Sequence, residues 1–340
     1  MKIKTVLFSS EGNDKNLNRV FAPGVIERVS QFTDLYPTPI GQQNIEACRE
    51  VLSEVVFAFS TWGMPSFTGE EIDRYMPKLQ AVFYAAGTVQ SFARPFLERG
   101  IRVFSAWKAN GISVIQWTVS EILLAAKGFF HSIDLTRVDY RKAGKIAGTM
   151  PGNYGITVGV LGAGAIGSGV IHSLKAMLYD SNEVLIKVYD PYLSEDKAKS
   201  MGVSLTSLEG VISCDIVTNH LANKEELRGL LCYDVLRNLP ANGVFINTGR
   251  GAQVVEADLI RIMQEEPMRV AILDVTDPEP PVQDGPLLQQ PNIFITPHMA
   301  GSSGRECQRL AHFMIDAAEK VHAQIPCDCE VTLSMLATMA

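Results

Sequence analysis

Thr157-Val-Gly-Val-Leu-Gly162-Ala-Gly164-Ala-Ile-Gly167 sets the pattern G-x-G-x-x-G directly after an apolar run and before a stretch of helical composition. In that context the first glycine, Gly162, permits a tight turn, and Gly164 lets backbone approach a pyrophosphate. Gly167 lets helix and strand pack closely. Ala165 and Ile166 then open the helix, whose first N–H groups and partial positive charge face the phosphates. A second strand, Val184 to Tyr189, ends at Asp190, where dinucleotide folds carry an acid for the adenosine ribose hydroxyls. The gap is longer than the usual ~20 residues, and residues 178–183 read as a small loop insertion that accounts for the excess. An acid at this point repels the extra phosphate of NADP, and no Arg or Lys follows in Asp190-Pro-Tyr-Leu, so NAD is the expected cofactor.

Working outward, short β-branched or aromatic runs alternate with longer helical stretches, the mark of βαβ units and a parallel sheet. Around the glycine turn the expected strands are Thr157 to Leu161, Val184 to Tyr189, Ile216 to Asn219, Val244 to Asn247, Val270 to Leu273 and Ile293 to Thr296. Six strands with intervening helices make one doubly wound, Rossmann-type sheet. Nearer the start lie Lys4 to Ser9, Val55 to Ser60, Ala81 to Ala85 and Arg102 to Ser105, with helical segments at Gly69 to Met76 and Pro95 to Arg99. The fold class is therefore α/β with two lobes. The expected division is a smaller, flavodoxin-like substrate domain over 1–111, completed by 303–340, and a dinucleotide-binding domain over 112–302.

Between the lobes Ile112 to Phe130 carries apolar residues around most of its circumference, so a helix buried nearly all round is expected there. Residues 143–154, rich in glycine and containing Pro151-Gly152, read as a loop, and Arg305 to Ala323 as a returning helix.

A chain of 340 residues with 46% hydrophobic and 20% charged residues has ample material for two cores and is not a disordered one. The formal charge of −7 is mild and its cations are scattered, which argues against a nucleic-acid partner. No segment approaches the ~18 uninterrupted apolar residues of a membrane span, and the start lacks a secretory signal pattern, so a cytoplasmic protein is expected. Of six cysteines only Cys327 and Cys329 lie close together, as Cys-Asp-Cys. That spacing is short for a zinc site and no second pair accompanies it, so no metal is expected and reduced thiols are.

Three later segments turn from fold to chemistry: Asn247-Thr-Gly-Arg250-Gly251, Asp274-Val-Thr-Asp-Pro-Glu279-Pro280, and Thr296-Pro-His298. Each follows an expected strand, so all three project at the carboxyl edge of one sheet, where ligands bind in such folds. Singly, an Arg is usually a surface charge, a Glu before Pro a turn, and a His after Pro a helix cap. Together, in this order, they resemble the D-isomer-specific 2-hydroxyacid dehydrogenase family over about residues 50 to 320, best between Val158 and Gly301. The resemblance implies that Arg250, Glu279 and His298 are catalytic. It also implies hydride transfer between NAD and a small 2-oxo or D-2-hydroxy acid, by a protein that pairs as a homodimer.

The chemistry accounts for those residue types. Reducing a ketone takes a hydride on carbon and a proton on oxygen, and imidazole suits the proton near neutral pH. A carboxylate orients the ring and favours its charged form. Arg presents a planar fork of donors to the substrate carboxylate and carbonyl oxygen.

The resemblance further implies that Thr248, Gly249, Asp274, Ala300 and Gly301 line the nicotinamide side. His220 and Leu221 are implied on the cofactor too, although Ala222 stands where the family often has Pro. Tyr84-Ala-Ala86-Gly87-Thr88 resembles the loop whose N–H groups hold the substrate carboxylate, which makes Ala86 and Gly87 substrate contacts, although the usual flanking Asp is absent. Trp62 and Trp107 are expected in core or interface packing rather than in the pocket wall, and Met335 and Met339 in a packed or frayed tail. An NAD-sensing scaffold on the same fold is the competing reading. Formate oxidation is disfavoured, because Glu279 stands beside the His.

Overall fold

The computed structural model describes residues 2–10, 15–177 and 184–337. The loop expected over 178–183, and Met339, lie outside the described residues.

Two compact units divide the chain: residues 1–111 with 302–340, and residues 112–301. The first unit holds β1 (Ile3–Leu7), β2 (Thr33–Leu35), β3 (Phe57–Ser60), β4 (Ala81–Tyr84) and β5 (Arg102–Ser105). The second holds β6 (Ile156–Leu161), β7 (Val184–Tyr189), β8 (Ser204–Leu205), β9 (Ile216–Asn219), β10 (Val244–Asn247), β11 (Val270–Leu273) and β12 (Ile293–Ile295). The chain ends by adding β13 (Glu330–Val331) to the first unit.

In the first unit the order is β13-β5-β4-β3-β1-β2. All pairs are parallel except β13 with β5. Read without β13, this is the flavodoxin-like order. Successive residues of the short strands face opposite layers. Val6, Ala58 and Val82 enter one core, and Leu7, Phe57, Phe59 and Phe83 the other. Phe83 stacks on Phe59 and on Phe104, each at 5.0 Å between ring centres. Strands buried on both faces have no polar side to show, which is why they read as continuous apolar runs.

In the second unit the order is β12-β11-β10-β9-β6-β7-β8, parallel throughout. This is the doubly wound arrangement, with its switch point between β6 and β9. Val158, Ile246 and Ile272 face one layer, and Leu161, Phe245 and Leu273 the other. The sheet has seven strands rather than six. The two-residue β8 is too short to leave a period in the sequence.

Two other differences have physical causes. The connecting helix runs Trp107–Ala126 and a second, Phe129–Thr136, follows a left-handed Gly128. It is not buried all round, since Ile112 and Leu124 are about two-fifths exposed. The expected loop begins as a helix, Tyr140–Ala147, started by Asp139, whose carboxylate accepts the Lys142 N–H at 2.9 Å. Gly144 and Gly148 hid that helix, although the capping acid three residues before Lys142 was there to be read. Trp62 is half-buried beneath the Arg19 guanidinium, 5.2 Å away, and Trp107 opens the long helix. Among the described residues no helix is long and apolar enough to cross a membrane.

Candidate active site

The glycine turn sits at the switch point of the second sheet. Gly162 has φ +84°, and a side chain there would press 2.8 Å from the His220 carbonyl, so the loops after β6 and β9 nearly touch. A Cβ on Gly167 would fall 2.0 Å from the Gly162 carbonyl, so the helix Ala165–Met177 lies hard against the turn. A Cβ on Gly164 would meet nothing within 4 Å. Two glycines are thus demanded by the protein's own packing. The third, Gly164, faces open space at a helix start whose first N–H groups have no partner within the helix. Asp190 Oδ2 accepts the Ala163 N–H at 2.8 Å and Oδ1 the Tyr192 N–H at 2.8 Å, so the acid at the end of β7 is fixed beside the same turn. This cradle, with an acid at its side and room at Gly164, fits a dinucleotide.

The catalytic candidates follow three neighbouring strands. Arg250 lies just beyond β10, Glu279 beyond β11 and His298 beyond β12, on one edge of the sheet. His298 Nδ1 is 2.6 Å from Glu279 Oε1, and both side chains are about half exposed. An ionised carboxylate only accepts, so Nδ1 carries the hydrogen and Nε2 is left for another partner. His298 has φ +53°, a left-handed conformation costly for a residue with a Cβ and of a kind that concentrates at functional sites. Arg250 is largely buried. Burial lowers the pKa of its guanidinium, and the nearby Glu279 charge opposes that.

What holds these three loops was not foreseen from the sequence. Asn219 and Asn247 pair across β9 and β10, with Asn219 Nδ2 donating to Asn247 Oδ1 at 3.0 Å and to Gln253 Oε1 at 2.7 Å. Asn247 Oδ1 also accepts the Gly249 N–H, and its Nδ2 donates to the Arg250 carbonyl. All three amide side chains are almost fully buried, so the loop carrying Arg250 is tied on both sides by groups that cannot turn to water. The signal lay in register: an Asn ends both strands, in Thr218-Asn219-His220 and Ile246-Asn247-Thr248.

Asp274, 3% exposed, does the same for the imidazole. Its carboxylate accepts the Thr296 hydroxyl at 2.6 Å and the N–H groups of Met299 and Ala300 at 2.7 and 2.9 Å. Glu121, on the long helix, is also buried, and its Oε2 has no hydrogen-bond partner. Burial pushes its pKa up to about 8, with Trp117 opposing and Asp274 adding to the rise, so this carboxyl is largely protonated at neutral pH. His220 is the reverse case. Burial pushes its pKa down to about 3, and the neutral ring sits 3.0 Å from the Thr218 hydroxyl and 3.5 Å from that of Thr248.

In the first unit Ala86 is fully buried and its N–H donates to the Tyr84 carbonyl at 2.9 Å, so that N–H is already engaged within the loop. The Ser105 hydroxyl lies against the carbonyls of Ala86 and Gly87.

The parallel doubly wound sheet, the glycine cradle and the acid after β7 define a dinucleotide-binding dehydrogenase fold. The sequence model of the D-isomer specific 2-hydroxyacid dehydrogenase NAD binding domain matches residues 122–300, more than half of the chain. The chain belongs to the D-isomer specific 2-hydroxyacid dehydrogenase family. It is 34% identical over 217 residues to D-3-phosphoglycerate dehydrogenase of Methanocaldococcus jannaschii, covering 63% of this chain and 40% of that protein. It is 31% identical over 212 residues to the enzyme of the same name from Archaeoglobus fulgidus, covering 62% and 39%. The matched region thus spans about two-fifths of the length of these relatives. Among solved structures, D-mandelate dehydrogenase of Rhodotorula graminis has the same fold, with a TM-score of 0.76 at 16% identity, covering 97% of this chain and 98% of that one.

Proposed function

We propose that this protein interconverts a small 2-oxo acid and its D-2-hydroxy acid, with NAD bound at the Gly162–Gly167 turn. The observation that carries the reading is the 2.6 Å contact of His298 Nδ1 with Glu279, one strand away from Arg250. When bound, NAD supplies or accepts the hydride at its nicotinamide ring. His298, held through Nδ1, gives the proton to the substrate oxygen from Nε2 during reduction and takes it back during oxidation. Glu279 fixes the ring's orientation and keeps the hydrogen on Nδ1. Arg250 anchors the substrate carboxylate and stabilises the developing oxyanion. Its burial strengthens that interaction, because few waters compete for the guanidinium.

Asp190 receives the ribose hydroxyls. Ala165, Ile166 and the glycines receive the pyrophosphate, and His220, Leu221, Thr248, Gly249, Asp274, Ala300 and Gly301 form the remaining wall on the cofactor. In the first unit Gly87 keeps the role of an N–H donor to a substrate carboxylate, whereas Ala86, fully buried with its N–H on the Tyr84 carbonyl, does not.

We place the protein in the cytoplasm as a homodimer. Support for pairing comes from the large exposed side chains Val138, Tyr140 and Tyr154, which show 86%, 78% and 74% of their surface. A monomeric mass in solution would contradict the dimer.

The test is a panel of glyoxylate, hydroxypyruvate, pyruvate and longer 2-oxo acids with NADH and with NADPH, followed by the loss of nicotinamide absorbance. Oxidation of NADH by at least one acid is expected. Tight NADH binding without turnover on any acid would overturn the assignment in favour of a sensing role.

A further inference from the structure

Cys327 and Cys329 flank a single residue just before β13 and present their sulfurs 3.0 Å apart. Both are free thiols. The separation is below that of ordinary van der Waals contact, and about 1 Å of further approach reaches the length of a disulfide bond. Two features hold the pair there. Asp328, between the cysteines, is in contact with the Lys108 ammonium. Glu330, directly after them, is gripped by Arg102 through two bonds of 2.8 and 2.6 Å. The Ser105 N–H donates to the Cys329 carbonyl at 3.1 Å, which fixes the backbone of the second cysteine to the end of β5. The segment is therefore clamped on both sides of its sulfurs, and the proximity is built rather than incidental.

We propose that Cys327 and Cys329 are a redox-active dithiol that closes to a disulfide by exchange with an external low-molecular-weight disulfide. Cys327 is the half-exposed member and Cys329 is 1% exposed, which assigns the order of events. Burial, then the neighbouring Cys327, pushes the Cys329 thiol up, so it is the poorer first nucleophile. The Cys327 thiolate attacks the external disulfide, forms a mixed disulfide and expels one thiolate. The Cys329 sulfur then attacks Cys327 Sγ, its proton passes out with the leaving group, and a second external thiol is released. Two protein thiols and one disulfide become one protein disulfide and two thiols.

Metal capture is the other use of two adjacent sulfurs. Among the described residues no group of three or more His, Cys, Asp or Glu side chains is placed to hold an ion, which leaves dithiol chemistry. A disulfide across one residue is constrained, and constrained disulfides are the ones reduced readily, so the step is reversible.

The full-length protein is equilibrated across a series of oxidised-to-reduced glutathione ratios, quenched with an alkylating agent and mapped by mass spectrometry. The expected result is one two-electron transition in which the peptide holding Cys327 and Cys329 loses two hydrogens and escapes alkylation, while Cys48, Cys214 and Cys307 show no such transition. Cys329→Ser should trap glutathione on Cys327, and Cys327→Ser should leave Cys329 unmodified. Two alkylated thiols at every ratio, or a stable glutathione adduct on wild-type Cys327, would overturn the proposal. The wild-type titration decides the matter even where a variant folds poorly.

Discussion

The carboxyl edges of the two parallel sheets are built in opposite ways. In the second unit the loops beyond β9 to β12 are tied by buried side chains: Asn219, Asn247 and Gln253 around Arg250, and Asp274 beneath His298. In the first unit the loop beyond β4 is held by its own backbone and by the hydroxyls of Thr61 and Ser105, which donate to the carbonyls of Ala85 and Ala86. Side-chain networks demand particular residues at particular positions. Loops held mainly through backbone groups tolerate substitution. A charge-bearing constellation needs the first kind of support, because a misdirected Arg or His loses most of its effect.

The contrast can be broken most severely at Arg250. Arg250→Ala should lower kcat/KM on the order of a thousandfold by removing the donor fork, with Arg250→Lys recovering only part of the loss. Steady-state kinetics on the preferred acid, alongside NADH affinity, checks this. Collapse of NADH affinity in both variants would assign Arg250 to the cofactor instead.

Asn247→Ala should come next. It removes the acceptor of two N–H donors and the donor to the Arg250 carbonyl, so a stability loss of about 2–4 kcal/mol is expected, with a fall in kcat, in chemical denaturation and kinetics. Ser105→Ala, the first unit's counterpart, should cost about 1 kcal/mol and change KM more than kcat. Equal effects of the two would erase the distinction between the edges.

Glu121 gives a pH-dependent test of the second unit. Its folded pKa of about 8 lies above the ordinary carboxyl value, so the folded state holds the proton more tightly than the unfolded state. The stability tied to that proton is complete below about pH 4.5 and is lost as the pH rises through 8, by about 5 kcal/mol in total. Glu121→Gln should flatten this part of the stability–pH curve and make the variant the more stable protein above pH 8. Parallel curves would show that the carboxyl does not titrate there.

The smallest structural effect, with a clear functional one, is expected at Gly164. A methyl group there meets no protein atom, so Gly164→Ala should leave the melting temperature nearly unchanged while weakening NADH binding roughly tenfold. Gly167→Ala, 2.0 Å from the Gly162 carbonyl, should instead destabilise the fold.

The sequence made the second unit legible because β-branched runs buried on both faces carry a strong local signal and the glycine turn punctuates them. β6, β7, β9, β10, β11 and β12 were all placed within a residue of their ends. β8 and β13, of two residues each, lie below the length at which periodicity exists. In the site, Arg250, Glu279 and His298 were legible as motifs. The Asn219–Asn247–Gln253 network was not, because only strand register brings together residues 28 and 34 positions apart. Glu121 is one acid on an apolar helix, and its meaning depends on what surrounds it. The loop after β4 stayed faint because backbone groups do most of its work, and backbone leaves little trace in residue identity.

The sharpest single measurement follows NADH and the preferred 2-oxo acid in one turnover with wild type and His298→Ala, with the cofactor's dissociation constant measured in parallel. The account predicts unchanged NADH binding and a loss of turnover on the order of a thousandfold in the variant. Turnover by His298→Ala at the wild-type rate would contradict it.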